Sequence, residues 1–188
     1  MSLISKKAAL VLIDIQKGLD ESAFYGGHRN NPEAELRAST LLDRWRTLGL
    51  PVFHVRHSSQ NPDSPLHASK SGYVIKDIVK PLQGESVITK TVNSAFIDTN
   101  LLPLLKEVPT QTVVIAGLTT NHCISSTARM AGNLGLQTYV VSDAVAAFDS
   151  QDLNGNPLPA ELMHQTALAS LQKEFAIVTD SAEIFSLL

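Results

Sequence analysis

The feature that most constrains this chain is a short apolar run that recurs along it, each time bounded by polar sequence. Residues 8–15 read AALVLIDI, 51–57 PVFHVRH, 86–91 SVITKT, 112–118 TVVIAGL, 137–144 QTYVVSDA and 176–180 AIVTD. Runs that stay apolar at successive positions suit strands buried on both faces, the pattern of a parallel sheet. Helix signals lie between most of them. Asn31-Pro32-Glu33 offers a capping side chain, a proline in the first turn and an acid near the positive helix end. That helix is expected to reach about Leu48 and stop at Gly49. Further helices are expected over 100–107, after 118, over 160–174 and over 182–188. Strands alternating with helices give an α/β fold with a parallel sheet covered on both faces.

The 188 residues suit one domain spanning 1–188, with no internal repeat. Hydrophobic residues make up 44% and charged residues 18%, and the net charge of −3 gives no reason to expect nucleic acid or an anionic membrane as partner. No apolar run approaches the ~20 residues of a membrane span. The opening MSLISKKAALVLIDIQ carries Asp14 inside its apolar run and is read as a first strand, not a secretory signal. With one cysteine, no internal disulfide forms, and a reducing cytoplasm is the expected setting. Residues 58–85, rich in Ser, Pro and Asn, have no period and read as a lid or binding loop.

In open parallel sheets, ligands bind beyond the carboxyl ends of the strands. Asp14 follows the first strand, Lys90 the third and Cys123 the fourth. A cysteine in the first turn of a helix meets free backbone N–H groups and the positive dipole end, and both favour thiolate. A nearby lysine lowers the thiol pKa further. A carboxylate raises it, but accepts the proton and hands it on. Each residue also has a plainer reading: Cys123 as a small core side chain, Asp14 as a loop cap, Lys90 as an edge charge and Gly117 as a tight turn.

Three blocks carry a resemblance: ALVLIDIQ around Asp14, VITKTVNSAF around Lys90 and VVIAGLTTNHCISSTARMA around Cys123. RNNP before the first helix and VVSDAVA after the fifth strand fit it too. The chain resembles the isochorismatase-like cysteine hydrolase superfamily over nearly its whole length. The resemblance implies a three-layer α/β/α fold with a six-stranded parallel sheet, of Rossmann-like kind. It implies Cys123 as nucleophile, Asp14 as general base and acid, and Lys90 as the residue that orients both. It also implies a cis peptide between Leu118 and Thr119, and an oxyanion hole from the N–H groups of Thr119 and Cys123. Relatives are commonly oligomers, so a homodimer or homotetramer is expected, with a small-molecule substrate as the other partner.

Nicotinamidases of this superfamily carry an Asp-x-His metal pair after the second strand. This chain has His54-Val55-Arg56-His57-Ser58-Ser59 there, so no metal and no cofactor are expected. Asp63 and His67 are read as solvated loop residues between Pro62 and Pro65 and beyond. Where many relatives have Phe five residues after the first Asp, this chain has Leu19, and Phe24 or Tyr25 is expected to fill the pocket. The expected substrate contacts are Gln16, Phe24, His57 and Leu118. Gln16 and Asn93 either touch substrate or brace Asp14 and Lys90; His57 either lines the pocket or is a bonded loop histidine. The direction of His122 is open, and His164 reads as a packing or surface residue. Three functions follow: a thiol-dependent hydrolase of a small amide, an isochorismatase-type vinyl ether hydrolase, or a binding module on the same fold. Members of the second type lack the cysteine, so Cys123 counts against it.

Overall fold

The computed structural model describes residues 2–188. Strands β1 (Ala9–Ile13), β2 (Val52–His57), β3 (Ser86–Lys90), β4 (Thr112–Leu118) and β5 (Gln137–Ala146) form the sheet with a last short strand, β8 (Ile177–Thr179). A two-stranded ribbon, β6 (Ser150–Gln151) and β7 (Pro157–Leu158), lies apart from it and was not foreseen from the sequence. The sheet order is β3-β2-β1-β4-β5-β8, and all of its pairings are parallel. The chain therefore builds outward from β1 in one direction, then restarts at β4 and builds in the other. The switch falls between β1 and β4, where a ligand crevice is expected.

Both faces are covered. Helix α1 (Ala34–Thr47) and the closing α5 (Ser181–Ser186) pack on one face, where Leu41, Leu42, Trp45 and Ile184 meet Leu10, Leu12 and Val114. Helices α2 (Leu101–Glu107), α3 (Ser125–Asn133) and α4 (Ala160–Leu171) cover the other, with Leu105, Ala128 and Leu171 against Val11, Ile13 and Ile115. The apolar stretches LLPLLKEV and EIFSLL thus serve the core through Leu101, Leu105 and Ile184. Among the described residues, no helix is long and apolar enough to cross a membrane.

Two local readings need correction. Asn31 does not cap α1: its backbone is left-handed (φ +42°), and its side-chain N–H groups donate to the carbonyls of Ser142 and Val145 on β5. It ties the first loop to the sheet instead. Gly117 is more than a turn residue. At φ +129° it lies so close to β1 that an added Cβ would stand 2.0 Å from the Ile13 carbonyl oxygen, so only glycine fits at the switch point.

Candidate active site

Each site residue is placed by a strand end. Asp14 is the first residue after β1; its N–H donates to the Val55 carbonyl at 2.8 Å, while its left-handed φ of +53° ends the strand. Lys90 ends β3 and pairs in register with His57, which ends β2. Cys123 sits in a single π-helical turn, Thr120–Ile124, inserted between β4 and α3. Such turns recur at functional sites because one extra residue re-aims the side chains. The peptide bond between Leu118 and Thr119, where β4 leads into this turn, is cis. Behind the turn, Thr120 Oγ1 and His164 Nδ1 meet at 2.9 Å, both buried, so α4 backs the nucleophile turn. His164 therefore packs as a hydrogen-bonded brace. Nothing in its sequence context distinguished it from an ordinary helix histidine.

The three strand-end residues converge. Lys90 Nζ lies 2.6 Å from Asp14 Oδ2, 3.2 Å from Cys123 Sγ and 3.2 Å from His57 Nδ1. The Lys90 side chain is fully enclosed and Asp14 is 2% exposed. Asp14 Oδ1 has no hydrogen-bond partner. The Cys123 thiol is pushed up, not down. Burial is the main cause and the Asp14 carboxylate the next, and together they outweigh the opposing pull of Lys90. The thiol form is thereby favoured beside the carboxylate, as the sequence reading of Asp14 as acceptor of the thiol proton requires, and the helix end does not reverse it.

A cavity of about 190 Å³ opens over this cluster. At ~30 Å³ per water in the liquid, that is about six waters' worth of space, enough for a small molecule only. Its lining includes Asp14, His57, Asn93, Leu118, Thr119 and Cys123, together with Leu19, Tyr25, Ser59, Ser64, Leu66 and His122. His57 is thus a pocket residue; burial and Lys90 hold its imidazole below the usual range, against Asp14 and the Val92 backbone. His122 also turns toward the cavity, and Asn93 Oδ1 lies 3.8 Å from the thiol.

Two expected contacts are absent from the cavity. Gln16 is wholly buried, and its amide is committed to backbone: Oε1 accepts from the His57 N–H, and Nε2 donates to the carbonyls of His57 and Tyr73. It braces the site. Phe24 is half exposed and stacks edge-on against Tyr25, which is the aromatic residue that reaches the cavity. Tyr25 stacks on Phe148, and its buried hydroxyl has no hydrogen-bond partner. Burial pushes that phenol up to about 12, against a smaller pull from Ser64.

Asp14, His57 and Cys123 offer ligand atoms within 4.8 Å of one another. The Lys90 ammonium contacts all three, so a metal ion would have to displace it. Asp63 is an exposed loop residue; His67 is partly buried, and its Nδ1 pairs with Ser69 Oγ at 2.8 Å. A wider depression of about 780 Å³ lies at the opposite end of the sheet, against α2, but nothing lining it is a carboxylate, histidine or thiol.

Comparisons with known proteins show the family and agree with the fold. The Isochorismatase domain model matches residues 8–183. The isochorismatase family protein YrdC of Bacillus subtilis is 45% identical over 97% of this chain and 97% of its own length. Maleamate amidohydrolase of Pseudomonas putida is 31% identical over 84% of this chain and 78% of its own. A crystal structure of an isochorismatase-family protein from Chromobacterium violaceum superposes with a TM-score of 0.93 at 38% identity, covering 100% of this chain and 96% of that one. The chain belongs to the isochorismatase family and is a hydrolase.

Proposed function

We propose that the chain cleaves the C–N bond of a small non-peptide amide through a thioester on Cys123. The observation that carries this reading is the Lys90 ammonium joining Asp14 Oδ2 and Cys123 Sγ, at 2.6 and 3.2 Å, beneath a cavity of small-molecule size. The similarity to an amidohydrolase supports it.

Asp14 takes the thiol proton as Sγ bonds to the carbonyl carbon. The electron pair of the C=O bond moves onto oxygen, which the N–H groups of Thr119 and Cys123 hold. Collapse breaks the C–N bond, and Asp14 gives its proton to the departing amine. Water, losing a proton to Asp14, then attacks the thioester. The C–S bond breaks, the sulfur regains its proton and the acid leaves. Lys90 holds Asp14 and the sulfur at their separation and offsets negative charge throughout.

The test is ammonia or amine release from a panel of small amides by wild type, Cys123→Ala and Asp14→Asn. Release by wild type that both substitutions abolish supports the reading. Release that survives Cys123→Ala removes the nucleophile and returns vinyl ether cleavage by Asp14 and Lys90 as the alternative. The homodimer or homotetramer expected from the resemblance remains part of the proposal, and sedimentation velocity decides it.

A further inference from the structure

We propose that this site selects uncharged amides and turns away those that carry a carboxylate, because every cationic donor at the cavity is already committed within the protein. The inference rests on the hydrolase reading of the same cavity and names its substrate class.

A lysine ammonium has three N–H donors and no acceptor. In Lys90 they go to Asp14 Oδ2, Cys123 Sγ and His57 Nδ1, so none is left for a substrate. Because His57 Nδ1 accepts from an ammonium, that ring carries its proton on Nε2 and is neutral. The amide of Asn121 lies 3.2 Å from His122 Nε2, so that nitrogen is also in contact with a protein group. No lysine or arginine is among the residues that line the cavity. Substrate carboxylates are ordinarily held by a forked arginine or a free lysine, and neither is present here.

The one carboxylate among the lining residues is that of Asp14. Asp14 lines the cavity with Oδ1 unpartnered. A carboxylate entering this cavity of about 190 Å³ would lose part of its water beside an Asp14 whose charge is already paired with Lys90, and would find no free cationic donor in return. An uncharged carbonyl or hydroxyl meets no such penalty. The Tyr25 hydroxyl, buried and without a partner, suits it, and so does the Asn93 amide. Maleamate, the substrate in the name of one relative, bears a carboxylate next to its amide. This cavity is expected to take the uncharged diamide of that acid in preference to maleamate itself.

The sole cysteine allows a test that needs no substrate. Iodoacetamide and iodoacetate differ only in amide against carboxylate, and both alkylate sulfur with loss of iodide. Their rates on the wild-type protein at about pH 8, where an ordinary histidine is neutral, are divided by their rates on 2-mercaptoethanol. The corrected preference for iodoacetamide is expected to be at least about tenfold, the scale of one uncompensated charge contact. A corrected ratio near one, or a preference for iodoacetate, overturns the proposal. Ser59→Arg, which brings a guanidinium to the cavity lining, is expected to raise the iodoacetate rate relative to iodoacetamide. Ammonia release gives the second arm: the diamide of maleic acid should yield one equivalent and stop at maleamate. Release of a second equivalent at a similar rate also overturns the charge selection. Failure of the parent reading looks different: Cys123→Ala would still release ammonia, whatever the alkylation ratio of the wild type.

Discussion

Gln16 grips both backbone groups of His57: Oε1 accepts from the His57 N–H at 2.7 Å and Nε2 donates to the His57 carbonyl at 3.0 Å. The same Nε2 donates to the Tyr73 carbonyl at 2.8 Å. One side chain thus locks the end of β2 to the loop that follows it, and sets where His57 stands against Lys90. Gln16→Ala would leave buried backbone groups unpartnered at a site closed to water. The expected loss is about 3 kcal/mol of stability, since each buried polar group left unmatched costs about 1–3 kcal/mol. Denaturant unfolding measures it. A midpoint equal to wild type would mean that water or a neighbour replaces the clamp.

The raised thiol gives a prediction in which reactivity and turnover move in opposite directions. Asp14 is the charged neighbour that raises Cys123, and Lys90 is the one that lowers it. Asp14→Asn removes the first and keeps the second. The thiol should then ionise at lower pH, by about one unit or more, and iodoacetamide should label it faster near neutrality. Amide hydrolysis should nevertheless be lost with the general base. The pH profile of alkylation in both proteins checks this. A midpoint that stays put or rises in Asp14→Asn would show that the carboxylate does not govern the thiol.

Much of this site was legible because a parallel sheet makes strand ends coincide. Once 8–15, 86–91 and 112–118 are read as parallel strands, Asp14, Lys90 and Cys123 belong on one edge. Strand β4 occupies 112–118 as read, since an uninterrupted apolar stretch of that length has few other fates. What escaped pattern reasoning were side chains whose partners lie far along the chain. Gln16 is set by Tyr73 and His57, Asn31 by Ser142 and Val145, and His164 by Thr120. Phe24 and Tyr25 are adjacent and chemically alike, and only the path of the loop decides which one faces the cavity. The thiol was legible in part: the sequence names the acid that raises it and the lysine that lowers it, whereas burial, the largest cause, acts through the assembled fold.

Tyr25 separates binding from stability. Its hydroxyl is buried and unbonded, which is a cost in the folded protein, while its ring packs on Phe148. Tyr25→Phe keeps the ring and removes the orphan group. Stability should hold or rise by about 1 kcal/mol. If the hydroxyl receives the far end of the substrate, KM for an uncharged amide should rise several-fold with kcat little changed, the mark of lost ground-state binding. Thermal unfolding and steady-state kinetics on the same preparation test both halves. A lower Tm with unchanged KM would make Tyr25 a packing residue only.

The start of β3 carries an acid-sensitive latch remote from the cavity. Glu85 takes two hydrogen bonds from Arg46, at 2.8 Å each, one from the Leu82 N–H and one from His54 Nε2 at 2.9 Å. Burial alone would push its carboxyl up, but Arg46, the Leu82 N–H and His54 together bring it from 4.5 to about 2. His54 is held below the usual range mainly by burial. Both groups bind protons more weakly folded than unfolded, so the stability they contribute is present at neutral pH and is lost on acidification. For His54 the loss begins as pH falls below 6.5, and for Glu85 it runs from 4.5 down to about 2. Glu85→Gln keeps the shape, removes the charge, and should lower stability at pH 7. It should also flatten the decline between about pH 4.5 and 2 relative to wild type. Urea unfolding across pH measures both effects. Parallel wild-type and variant curves through that window would show that Glu85 titrates as an ordinary surface acid and that the latch contributes nothing.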